Sequence, residues 1–128
     1  MKLLTRDDIL MGRDKAYPID EIQSANVDRL LSALHQLQLA LETDLVVSSG
    51  YRPEAINAAV KGAAKRSNHI ACLAVDLHDP DGALDTWCLE NQKALELCGL
   101  WLEHPDSTPN WCHLQCVPPK SGRRVFRP

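Results

Sequence analysis

Polar and apolar side chains alternate with a period of two in residues 72–78 and again in residues 111–116, and no other feature restricts the fold as tightly. Successive side chains of a β-strand point to opposite faces. Cys72, Ala74, Asp76 and His78 therefore share one side of the first segment, and Leu73, Val75 and Leu77 the other. In the second, Trp111, His113 and Gln115 face one way and Cys112, Leu114 and Cys116 the other. The wholly apolar or thiol sets belong against a core, as in an antiparallel sheet with one buried face. The polar sets then line a cleft. With the two strands as neighbours, Asp76 and His113 converge, and His69 reaches them from the loop ahead of the strand.

The remaining elements follow from caps, periodicity and breakers. Thr5 with Asp8 three positions on has the form of a helix start, predicting a short helix that ends near Gly12. From about Asp20 to Ala40, Ile22, Val27, Leu30, Leu31, Leu34 and Leu37 recur at helical spacing, which predicts an amphipathic helix with that set on the core. His35 lies beside the stripe and suits a surface or capping role. Residues 45–49 read as a strand ended by Gly50. Pro53 opens a helix through about Val60, with Gly62 as its stop and residues 63–69 a loop. A second strand covers 70–77, one helix runs from about Gly82 to Cys98, and a third strand covers 100–103. After a turn at 106–110 comes a fourth strand at 111–117, and the Pro- and Arg-rich tail from Pro118 reads as irregular. Helices come first and in the middle, with strands clustered later. That order predicts an α+β fold with a small, mainly antiparallel sheet packed against helices.

Length and charge exclude several classes. The 128 residues fit one domain, 1–128. A net charge of −3 makes no electrostatic case for nucleic acid. Lys61, Lys65 and Arg66, and Lys120, Arg123, Arg124 and Arg127 in the tail, read as solvated surface. Five cysteines cannot all pair, and no CxxC pair suggests a zinc ribbon or a thioredoxin-type site. The N-terminus meets charge after two leucines, so no signal peptide is expected, and no apolar run approaches the ~20 residues needed for membrane insertion. The expectation is synthesis in a reducing cytoplasm, any extracellular target being reached by another route.

Two imidazoles and a carboxylate with an open fourth position make a catalytic rather than a closed structural zinc set. Such an ion polarises a carbonyl and supplies hydroxide near neutral pH. Ser67-Asn68-His69-Ile70-Ala71-Cys72-Leu73-Ala74-Val75-Asp76 resembles the S-x-H-x-x-G-x-A-x-D signature of the zinc D-Ala-D-Ala peptidases. That family includes carboxypeptidases, D,D-dipeptidases and phage L-alanyl-D-glutamate endolysins, and shares its fold with the Hedgehog signalling domain. Ser48-Ser49-Gly50-Tyr51-Arg52-Pro53, followed by Asn57, is similar to its S-G-Y-R segment, and Trp111-Cys112-His113 to its closing W-x-H. Small phage-encoded members also resemble residues 9–14 and 118–122. The resemblance implies a Hedgehog/D,D-peptidase-like fold with Zn2+ on His69, Asp76 and His113. It also implies a monomer that acts on peptidoglycan stem peptides after release during phage or prophage lysis.

By the same resemblance Arg52 holds a substrate carboxylate or polarises the scissile carbonyl, which suits its planar fork of donors; a salt bridge pinning the loop is the alternative. Ser67 bonds substrate in the cleft or caps its own loop, and Trp111 lines the substrate path. Two departures stand out. Cys72 occupies the signature's glycine, where a thiol crowds the metal or fills space. Asn110 occupies the place of the acid that many relatives carry three residues before the last histidine, and an amide cannot take a proton from water. Glu103, at the end of the third strand, is the replacement general base, with His104 and Asp106 as alternatives. His78 is a partner behind Asp76 or a surface histidine. The activity implied is a zinc peptidase; a zinc-retaining binding protein and a metal-free structural domain are its rivals.

Overall fold

The computed structural model describes residues 1–60 and 67–128, so Lys61, Gly62, Lys65, Arg66 and most of the loop expected at 63–69 lie outside the described residues. Helix α1, Arg6–Leu10, starts at a complete capping box: Thr5 Oγ1 accepts from Asp8 N–H while the Asp8 carboxylate accepts from Thr5 N–H. A 3-10 turn follows at Arg13–Lys15. Asp20 and Gln23 cap α2, Glu21–Leu41, in the same reciprocal way. Val27, Leu30, Leu31, Leu34 and Leu37 are buried as the spacing predicted, but Ile22, in the first turn of α2, is exposed. His35 ties the N-terminal segment to α2 through the carbonyl of Leu4.

Strand β1, Val47–Ser49, leads through residues 50–53 to α3, Glu54–Ala58. Strand β2 is Ala74–His78, and two helices follow, α4 at Ala83–Glu90 and α5 at Gln92–Cys98. The periodicity predicts a single helix here. The break falls at Asn91 (φ −128°, ψ 45°), whose side-chain amide donates to the carbonyl of Trp87 and so offers the backbone an alternative to the helical ladder. Strands β3, Trp101–Glu103, and β4, Trp111–Gln115, flank a 3-10 turn, and β5, Val125–Phe126, completes the sheet.

The sheet order is β1-β2-β4-β3-β5, all antiparallel except β5, which runs parallel to β3. The fold is therefore α+β with a mainly antiparallel sheet on helices. The tail expected to be irregular instead supplies an edge strand. Its residues are held by bonds that local sequence does not announce, Leu102 N–H to Arg124 O and His104 N–H to Phe126 O. Leu77, Cys112, Leu114 and Leu102 point to one side of the sheet and join the α2 stripe, Leu95 and Leu100 in the core. All five cysteines are free. No helix among the described residues is long and apolar enough to cross a membrane.

Asp79 and Asp85 organise the start of α4. The Asp79 carboxylate accepts from Leu84 N–H and Asp85 N–H, both at 2.9 Å, satisfying donors that a helix N-terminus leaves free. Asp85 is buried beside it, and its Oδ1 has no hydrogen-bond partner among the described residues. Burial pushes the Asp85 carboxyl up to about 6; the neighbouring Asp79 charge adds to this and a hydrogen bond with Cys112 opposes it. The folded-state value lies above the unfolded one of about 3.9, so the stabilisation from the protonated form is complete below about pH 4 and lost as pH rises through about 6. A difference of that size corresponds to roughly 3 kcal/mol, and solvent screening reduces it. Asp85→Asn should therefore gain on the order of 1–3 kcal/mol in urea unfolding at about pH 7.5 and nothing near pH 4. An equal change at both pH values would show that desolvation of this carboxylate is not the cause.

Candidate metal centre

Register places the polar residues in a row across the sheet. Ser49 pairs with Asp76, Asp76 with His113, and Glu103 with Phe126. The β3–β4 register, Leu102 opposite Leu114, carried on by one residue sets Glu103 across from His113. One face thus presents Ser49, Asp76, His113, Glu103 and Phe126 side by side, one from each strand. His69 enters from the turn before β2. That turn is tight: Ile70 N–H, Cys72 N–H and Leu73 N–H donate back to Ser67, His69 and Asn68.

Asp76 Oδ1 lies 2.9 Å from His113 Nδ1 and 3.3 Å from His69 Nε2, and the two rings meet edge to face at 5.3 Å. The far nitrogens fix what the near ones can offer. His69 Nδ1 is 3.0 Å from the carbonyl of Gly50, which only accepts, so Nδ1 carries the proton and Nε2 of the neutral ring offers a lone pair. His113 Nε2 is 3.0 Å from Gln115 Oε1, which leaves Nδ1 to offer the lone pair of that ring. Two imidazole lone pairs and a carboxylate oxygen therefore face one point, all three atoms within 4.8 Å of one another. With neither a proton nor a cation between them they repel. A cation resolves the conflict, and adjacent ligands on a tetrahedral zinc with bonds of about 2.0–2.1 Å stand about 3.3 Å apart. The donor set fits a divalent metal with a position left for water or substrate.

Electrostatics agree with that geometry. Burial alone would raise the Asp76 carboxyl, but hydrogen bonds and charge from His113 and His69 hold it well below the usual carboxylate range. Burial lowers His113, and the Asp76 carboxylate more than offsets this, so His113 ends above its ordinary value. Proton and metal compete for one lone pair. Burial pushes Glu103 up and the negative Asp76 adds to it, against the pull of His113 and His69.

Arg52 is buried beside the cluster, donating from Nη1 to Asn57 Oδ1 at 3.2 Å and from Nη2 to Asp76 Oδ2 at 3.4 Å. The ion pair pins Asp76 through the carboxylate oxygen that His113 does not contact. Ser67 Oγ accepts from His69 N–H, the loop-capping arrangement. Trp111 sits half-buried on the site face, paired with an exposed His78 at the end of β2. His104 and Asp106 are turned to Arg127, whose Nη1 lies 3.0 Å from Asp106 Oδ2.

Cys72 is not on the metal face. It precedes β2, sits at φ +63°, and is buried in the hydrophobic core, where burial pushes its thiol up to about 11. A strand over 70–77 would have turned it toward the metal; the tight turn rotates it away. The left-handed backbone also explains a glycine in the signature it resembles. Asn110 is a turn residue at φ +73°, a conformation that Asn tolerates, and its carbonyl accepts from Asp79 N–H. Sequence reasoning missed the Gly50 carbonyl and Phe126, whose ring stands 6.3 Å from His113 at 84°, and placed Gln115 on the cleft face without giving it a role. Gln115 had one available signal, since residues i and i+2 of a strand share a face.

A sheet face carrying two histidines and an aspartate, with a glutamate apposed, can hold a divalent metal ion. The Peptidase M15 family model matches residues 4–103, and the chain belongs to that family of metal-dependent peptidases. The matched stretch holds His69 and Asp76; His113 lies beyond it and is brought in by the register of β2 and β4. No curated protein and no solved structure shows a significant match to the chain.

Proposed function

We propose that this protein is a zinc peptidase that hydrolyses peptidoglycan stem peptides, with His69, Asp76 and His113 as ligands and Glu103 as general base. The observation that carries this reading is the convergence of three lone pairs on one point with a carboxylate across the strand pair from His113. When bound, zinc supplies Lewis acidity, polarising a carbonyl and making water acidic near neutral pH. Glu103 takes the proton of the attacking water and returns it to the leaving amine. Its raised carboxyl suits both halves of that exchange. Arg52, steadied by Asn57 through Nη1, keeps Asp76 in place through Nη2 and offsets negative charge as the carbonyl becomes tetrahedral. Trp111 walls the substrate path, and the Ser67 hydroxyl proton is a donor at its edge.

The substrate class is supported by the three ordered motifs at 48–53, 67–76 and 111–113, which resemble those of wall-peptide hydrolases. Either a D-Ala-D-Ala carboxypeptidase or an L-Ala-D-Glu endopeptidase fits. A monomeric, endolysin-like role, with the wall reached at phage or prophage lysis, belongs to the same proposal. Mass spectrometry of muropeptides after incubation with zinc-loaded protein tests it. Loss of a terminal alanine names the first bond; release of the stem from its L-alanine names the second. Cleavage should stop with chelator and return with zinc. Muropeptides left uncut by zinc-loaded protein would favour a binding protein that keeps the ion without the chemistry.

A further inference from the structure

Gln115 is 4% exposed on the site face of β4 and takes part in no step of the proposed hydrolysis. Its amide nitrogen donates to the carbonyl of Val117 at 2.9 Å. A carbonyl can only accept, so this bond dictates which end of the amide points back toward the site. The end that points back is Oε1, 3.0 Å from His113 Nε2. An amide oxygen likewise only accepts, so His113 must supply the proton from Nε2. The relay from the Val117 carbonyl through Gln115 to His113 thus leaves Nδ1, the atom 2.9 Å from Asp76 Oδ1, as the nitrogen with a free lone pair.

We infer that Gln115 is a positioning residue for the metal centre, holding His113 in its Nε2–H form and fixing the ring so that Nδ1 is the nitrogen offered to the ion. The inference rests on the zinc reading of the site. It also accounts for a contrast within the ligand set: His69 presents Nε2 because a backbone carbonyl, Gly50, holds its Nδ1–H, whereas His113 presents Nδ1 because a side chain holds its Nε2–H. The first hold is a main-chain group and is lost only if the backbone at residue 50 moves. The second is a side chain, which makes it the adjustable half of the site. Partners behind a ligating histidine raise its basicity and typically govern about 10- to 100-fold in metal affinity.

The test is Zn2+ affinity, measured by competition with a chromophoric chelator, in the wild type, Gln115→Leu and Gln115→Glu. Leu keeps much of the volume and removes the acceptor; Glu keeps an acceptor for Nε2–H. Gln115→Leu should bind zinc about 10- to 100-fold more weakly, and Gln115→Glu should come within about threefold of the wild type or bind more tightly. Zinc-free unfolding midpoints, read alongside, separate a lost orientation from a damaged fold. Gln115→Leu at wild-type affinity, or Gln115→Glu as weak as Gln115→Leu, overturns the inference while leaving the zinc centre standing. A wild-type chain that takes up no zinc overturns the centre and the inference with it. Should Gln115→Leu fail to fold, nitrogen-resolved NMR of the zinc-loaded wild type decides: His113 with its proton on Nε2 supports the assignment, and a proton on Nδ1 overturns it.

Discussion

Glu103→Gln is expected to lower turnover of a wall peptide roughly 100- to 10,000-fold, the range that a positioned general base contributes, while zinc affinity changes little. The substitution preserves volume and removes the carboxylate's charge together with its ability to accept a proton. Glu103 stands across from His113 rather than among the three converging donor atoms, so the ion should lose one nearby negative charge and no ligand. The same position suits Glu103 to act as the base. Burial and the Asp76 charge raise its carboxyl, keeping it basic enough to take a proton and acidic enough to give it back. The competing candidates are held elsewhere, with His104 and Asp106 drawn to Arg127. Steady-state rates on a purified muropeptide, paired with zinc titration of the same preparations, separate the outcomes. Undiminished turnover in Glu103→Gln would remove it from the mechanism. Loss of zinc together with turnover would make it a determinant of metal binding instead.

What the sequence discloses here is whatever is encoded within a few residues. The Thr5–Asp8 box, the α2 stripe and the alternation around Asp76 and His113 are local patterns, and each reappears in the structure. The chemistry of the row across the sheet is legible for a related reason. Once two strands alternate, only their adjacency has to be supposed, and the pairing of Asp76 with His113 supplies it. Features set by distant chain are not legible. Strand β5 is two residues long in a segment rich in Pro and Arg, and it forms because the edge of β3 offers it hydrogen bonds. Its Phe126, the only phenylalanine in the chain, can be singled out by rarity but not placed beside His113. Cys72 lands on the wrong face when strand alternation is carried two residues too far, past a left-handed turn that a non-glycine residue gives no warning of.

Gly50 shows the same limit most sharply and gives the second large expected effect. The segment resembling S-G-Y-R marks its glycine by likeness alone; the structure shows why only glycine fits. A Cβ at Gly50 would stand 2.1 Å from the carbonyl oxygen of Ile9 and 2.9 Å from its carbon, both backbone atoms that no rotamer change can move. Close approach of α1 to the residues after β1, rather than an unusual dihedral angle, sets the requirement. That approach is also bonded, since Tyr51 N–H donates to the same Ile9 carbonyl at 2.7 Å and Arg13 to the carbonyl of Tyr51 at 2.8 Å. Gly50→Ala must therefore push the N-terminal segment away and weaken those bonds. Overpacking together with one lost backbone hydrogen bond should cost about 2–4 kcal/mol in zinc-free urea unfolding. The damage should not stop at stability. The Gly50 carbonyl holds His69 Nδ1–H, so a shifted residue 50 releases the ring that presents Nε2 to the metal, and zinc affinity should fall about 10- to 100-fold. Stability within about 0.5 kcal/mol of wild type would mean that α1 yields freely and does not brace the site. A stability loss with unchanged zinc affinity would separate the brace from the ligand, leaving His69 held by its own tight turn alone.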